Sequence, residues 1–100
     1  MSSNALLDNF RLPPGAAPVA CVDIGGTKVA VNIVDALGIR GKVFEPTATT
    51  GSNDALGQQI IRLIGQSCAV AGVPVASIAR VGVASCGPFV HNQGMVELAT

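Results

Sequence analysis

The sequence predicts an α/β fold with its elements in the order β-β-β-α-β. Three observations point to it. Two short β-branched runs, 19–24 and 29–34, flank a Gly-Gly turn, the pattern of an antiparallel hairpin. Between residues 54 and 71, the positions Leu56, Ile60, Leu63, Ile64, Ser67, Cys68 and Ala71 recur at helical spacing. A further run, Val81-Gly82-Val83-Ala84, follows that helix and is expected to return parallel to an earlier strand by a crossover.

Residues 1–18 read as an irregular N-terminal tail, because Pro13-Pro14-Gly15 and Pro18 interrupt any regular element. The globular part is expected to start at Val19. The continuous apolar run 19–24 reads as a strand buried on both faces. Strand two covers 29–34, and Asp35-Ala36-Leu37-Gly38 turns the chain. Strand three, 39–44, is expected to be more exposed, since Arg40 and Lys42 alternate with apolar neighbours.

A Thr-rich connection, 46–51, leads to Ser52, Asn53 or Asp54, any of which can cap the helix. On the helical wheel Gln59, Arg62 and Gln66 fall mostly off the apolar face. Gly72 and Pro74 end the helix, and Gly87-Pro88 ends strand four. Residues 95–98 can begin another short strand, and His91 reads as a turn residue. There are no internal repeats.

Composition narrows the class further. Of the 49% hydrophobic residues, 14 are Ala and 13 are Val, with three Phe and no Trp or Tyr. Small and β-branched side chains suit strands packed closely on a helix. The net charge is zero with 12% charged residues, which argues against a nucleic-acid or membrane surface. The mean hydropathy of +0.53 implies that further protein covers some apolar surface. Cys21, Cys68 and Cys86 are odd in number and far apart, so neither a disulfide framework nor a zinc spacing is expected, and they read as reduced thiols of a cytoplasmic protein. No signal peptide and no run of transmembrane length is seen.

The segment with chemistry in it is Asp23-Ile24-Gly25-Gly26-Thr27-Lys28. Phosphate needs converging N–H donors and no side chain in the way. Gly25 and Gly26 can adopt backbone angles that Cβ-bearing residues avoid, letting successive N–H groups face one concavity. Thr27 adds a hydroxyl and a further N–H. Asp23, at the strand end, can approach a hydrated Mg²⁺ near the same phosphates, because magnesium keeps waters and takes few direct carboxylates. Lys28 adds positive charge, or points to solvent. The same six residues also fit a plain Gly-Gly hairpin whose Asp hydrogen-bonds the turn. They contain no dinucleotide G-x-G-x-x-G fingerprint and no P-loop.

Residues 22–30, closed by Asp35, resemble the N-terminal signature of the ROK family, which comprises sugar kinases, bacterial glucokinases among them, and related transcriptional repressors. Arg80-Val81-Gly82-Val83-Ala84-Ser85-Cys86-Gly87-Pro88 resembles the family strand that ends in a Gly-Pro turn, with Ser85-Cys86 in place of the usual small residue and Pro. Gly94-Met95-Val96-Glu97-Leu98-Ala99 is similar to the stretch that follows. The resemblance implies an actin-like ATPase (ribonuclease H-like) fold, of which residues 19–100 are the N-terminal part, ending before the catalytic region. It implies that Asp23, Gly25, Gly26, Thr27 and Lys28 bind the phosphates of ATP, with Asp23 reaching Mg²⁺ through water. Gly87 and Pro88 would sit near the substrate cleft.

The family's catalytic Asp, sugar ligands and structural Zn²⁺ motif fall downstream, so no catalytic residue is expected here, and His91 and Glu97 are not substitutes. The segment alone is therefore expected to be inactive. The complete protein is expected to be a cytoplasmic, homodimeric sugar kinase acting on a glucose-like hexose, with ATP or polyphosphate as donor. A repressor would need an N-terminal helix-turn-helix, which the proline-broken tail cannot hold. A sugar-sensing regulator without kinase activity is the alternative, and a fragment that associates with a separate lobe is a third reading.

Overall fold

In this computed structural model, β1 (Val19–Ile24), β2 (Lys28–Asp35) and β3 (Gly38–Pro46) form an antiparallel meander. Helix α1 (Ala55–Ala71) then leads through a 3-10 turn, Val75–Ser77, to β4 (Arg80–Ser85). The sheet order is β3-β2-β1-β4, with β4 parallel to β1. A second hairpin pairs β5 (Phe89–Asn92) with β6 (Met95–Leu98). The structure describes residues 10–48, 54–85, 89–92 and 95–98. Ser52 and Asn53 as helix caps, Cys86, and the Gly87-Pro88 turn lie outside the described residues.

The meander, the helix and the parallel return follow the β-β-β-α-β order read from the sequence. His91 lies in β5 rather than in a turn. Residues 10–18 hold no helix or strand. They are nevertheless tied to the sheet. The Leu12 N–H donates to the Asp35 carbonyl at 2.9 Å, and the Pro18 carbonyl accepts the Ala79 N–H at 3.0 Å.

Helix α1 packs on β2 and β3. Its Cys68 and Ala71 join Ala20 and Ile33, and its Leu63 joins Val22, Val29 and Val31. Side chains alternate across a strand, so these residues lie on one face of the sheet. β1 is accordingly not buried on both faces as its apolar run suggests. Ala20 and Val22 are buried, Val19 and Cys21 half-buried, and Asp23 exposed. Among the described residues α1 is the helix that covers the sheet, and it covers one face. β4 lies beyond its reach: Val81 and Val83, in register with Ala20 and Val22, are 49% and 60% exposed.

The helix ends as the sequence implies. Gly72 takes a left-handed φ of 73°, and its N–H and that of Val73 donate to Ala69 and Cys68, satisfying carbonyls the last turn leaves open. Asp54 precedes the helix without a side-chain capping bond. Two polar residues depart from the expected pattern. Gln59 is buried, at 7% exposure. Arg40 does not extend into solvent: its guanidinium pairs with the Asp35 carboxylate, and its Nη1 donates to the Ala71 carbonyl at 2.9 Å. The cation thereby sits where the helix C-terminus concentrates negative partial charge.

Candidate functional site

The hairpin between β1 and β2 is as tight as its sequence implies. The Gly25 N–H donates to the Lys28 carbonyl at 2.8 Å, closing the turn around Gly26 and Thr27. The glycines act differently from the expectation. Neither has a φ in the left-handed region, so the turn does not depend on that freedom. At Gly25 the need is for space, since a Cβ there would meet the Lys28 carbonyl oxygen at 3.1 Å. At Gly26 a Cβ would meet nothing within 4 Å. The turn is open above Gly26, and Gly26, Thr27, Lys28 and Asp23 are all exposed.

Asp23 stands next to the last position of β1, with Ala30 and Ala84 as its register partners on either side. Asp23 is exposed at this end of the sheet. Val29 is buried toward α1, so by alternation Lys28 shares with Asp23 the face away from the helix. The Lys28 ammonium lies 5.1 Å from the centre of the Phe44 ring, within cation–π range. Its charge is thus held on the β3 side of the turn.

Thr47 follows β3 immediately, and the structure brings it to the turn. Its Oγ1 donates to the Gly25 carbonyl at 3.0 Å, and its N–H donates to the Thr27 carbonyl at 3.1 Å. Gln59 on α1 holds the flanking chain. Its Nε2 donates to the Pro46 carbonyl at 2.7 Å and to Glu45 Oε1 at 2.8 Å, and its Oε1 accepts the Ala48 N–H at 2.8 Å. Arg62 pairs with the same Glu45 carboxylate. The hydrogen bonds from Arg62 and Gln59 hold the Glu45 carboxyl down to about 2. The only trace of this arrangement in the sequence is the Thr-rich connection, because hydrophobic periodicity carries no information about a strand-end hydroxyl.

The site suits an anion. With the Gly25, Thr27 and Lys28 carbonyls engaged, the N–H groups of Gly26 and Thr27 have no acceptor among the described residues. Exposed N–H groups with no side chain over them are what a phosphate oxygen requires. Among the described residues no cluster of three or more His, Cys, Asp or Glu could hold a metal. A single carboxylate such as Asp23 fits only a cation that keeps most of its waters and brings phosphate ligands of its own, which is the habit of Mg²⁺. No helix of the described residues is long and apolar enough to cross a membrane.

No family model and no curated protein matches this chain. Among solved structures it is similar to the ROK hexokinase from Thermus thermophilus, with 25% identity over 79% of this chain and a TM-score of 0.63. It also aligns with the PPX-GPPA enzyme of Aquifex aeolicus, at 15% identity over 69% of this chain and a TM-score of 0.37. The chain spans 26% of the length of each. The α/β fold of this chain is thus similar to that of a ROK sugar kinase, over about a quarter of such an enzyme's length.

Proposed function

We propose that this chain is the N-terminal segment of an ATP-dependent sugar kinase of the ROK type, with an actin-like ATPase fold, acting on a glucose-like hexose. One observation carries the reading: the fold is similar to that of a ROK hexokinase. The open turn at the end of β1 supports it from within the chain.

In this reading Asp23, Gly25, Gly26, Thr27 and Lys28 form the first phosphate-binding loop. Bound ATP supplies the transferable phosphoryl group, and Mg²⁺ offsets charge on the phosphates. The Gly26 and Thr27 N–H groups bind and orient phosphate oxygens. The Asp23 carboxylate would hold hydrated Mg²⁺ near the phosphates, and Lys28 adds positive charge beside the turn. Gly87 and Pro88 border the sugar cleft. The general base, the sugar ligands and any structural Zn²⁺ belong to other parts of the complete protein. Phosphoryl transfer relies on groups placed around both sides of a cleft, so residues 1–100 alone transfer no phosphoryl group. The complete protein is a cytoplasmic homodimer whose partners are nucleotide and sugar.

The test is ATP-dependent phosphorylation of a panel of hexoses by the product of the complete reading frame, beside its Asp23→Ala variant. Turnover of one sugar, reduced at least about a hundredfold in the variant, is expected if Asp23 orients the metal–phosphate complex. Sugar binding without turnover in either protein would replace the kinase with a sugar-sensing regulator.

A further inference from the structure

We infer that Thr47 is a positioning residue for the phosphate turn, and that Gln59 fixes Thr47 in that role from α1. The inference rests on the kinase reading and adds to it a residue outside the Asp23–Lys28 segment.

A trans peptide unit is planar, with its C=O and N–H on opposite sides. The Gly25 carbonyl belongs to the same unit as the Gly26 N–H, and the Thr27 carbonyl to the same unit as the Lys28 N–H. Thr47 takes the Gly25 carbonyl with its hydroxyl at 3.0 Å and the Thr27 carbonyl with its N–H at 3.1 Å. Both bonds pull carbonyl oxygens toward the end of β3. Two consequences follow. The Gly26 N–H, one of the two donors offered to a phosphate, is turned away from Thr47, and two carbonyl partial charges are drawn toward the end of β3. The arrangement is made before any anion binds, so its organising cost falls on folding rather than on binding.

Thr47 needs a fixed backbone to do this, and Gln59 supplies one. The Gln59 amide bonds Pro46 on one side of Thr47 and Ala48 on the other, at 2.7 and 2.8 Å. It is 7% exposed, where a hydrogen-bonded amide is held in one orientation. The positioning chain therefore runs from the buried face of α1, through the end of β3, to the turn.

The experiment compares Thr47→Val, which keeps the shape and removes the hydroxyl, with Thr47→Ser, which keeps the hydroxyl, in the complete protein. Thr47→Ala replaces Thr47→Val if that variant does not fold. The readouts are kcat/KM for ATP, KM for the sugar, and amide hydrogen exchange across residues 25–28. Loss of one neutral hydrogen bond predicts a fall of roughly two- to tenfold in kcat/KM for ATP. The sugar KM is expected to stay unchanged, exchange to quicken in the turn, and Thr47→Ser to restore both readouts. A purely structural role would move the sugar KM as well, and that result overturns the inference. So does a kcat/KM for ATP that Thr47→Val leaves unchanged, or one lowered equally by Val and Ser. A complete protein that phosphorylates no hexose overturns the kinase reading itself, and this inference with it.

Discussion

Ser67 on α1 donates its hydroxyl to the carbonyl of Gly41 on β3 at 2.6 Å. The β2–β3 register shifts between Val31 and Ile33, and Gly41 at this bulge has a φ of 69°. A glycine in the left-handed region is the usual first residue of such a bulge. A Cβ on Gly41 would stand 2.4 Å from the Ser67 carbonyl oxygen and 2.9 Å from the Ala71 Cβ.

Gly41→Ala is therefore expected to be among the most damaging single-methyl changes in the chain. It combines an unfavourable backbone angle with a clash against helix backbone. The expected loss is roughly 3 kcal/mol or more. Urea unfolding measures it, and a loss under about 1 kcal/mol would mean that α1 does not cross β3 this closely.

Gln59→Ala removes three hydrogen bonds at a buried position and leaves the Ala48 N–H and Pro46 carbonyl without their partner. The cost is expected to be about 2–4 kcal/mol. Exchange at the Ala48 amide should rise along with it. Exchange unchanged from wild type would show that the clamp at the end of β3 does not form.

Acid should loosen the same region. The Glu45 carboxyl is held down from an ordinary 4.5 to about 2 by Arg62 and then Gln59. A group whose folded pKa is depressed binds protons more readily when unfolded, so stability rises with pH across that window. The contribution is complete above about pH 4.5 and is lost as pH falls toward 2. Asp35 is lowered too, first by its hydrogen bond from Arg40, and adds in the same direction. In Glu45→Gln the acid limb of a stability–pH curve should be shallower than in wild type. An identical slope would exclude the Glu45–Arg62–Gln59 network.

Burial raises the thiol pKa of Cys68, which lies 1% exposed in the core. At neutral pH it should resist alkylation until the chain unfolds. Cys21 is half-buried, and its pKa is also raised by burial, so it should react slowly but ahead of Cys68. Mass spectrometry of native protein after timed alkylation gives the order, and early labelling of Cys68 would contradict the packing of α1 on β1 and β2.

Much of this architecture was legible in the chain itself. Alternating and helical periodicities are local properties, so β1 and β2, the helix ending at Gly72, and the return strand could be read residue by residue. The turn at Gly25-Gly26 was legible for the same reason, and the resemblance to ROK kinases agrees with the structural likeness. Other features depend on what another element does. Whether β1 is covered on one face or two is decided by where α1 lies, and the apolar run 19–24 is the same in either case. Gln59 looked like a solvent residue because the wheel sorts by hydropathy, whereas its burial is set by three backbone and side-chain partners 11 to 14 residues away. Thr47 met Gly25 across 22 residues through strand register, which no local pattern encodes. The sequence by itself determined the elements and the place of the turn. Only the tertiary structure decided which carbonyls are pinned back and by whom, because those bonds form between segments that sheet pairing and helix packing bring together.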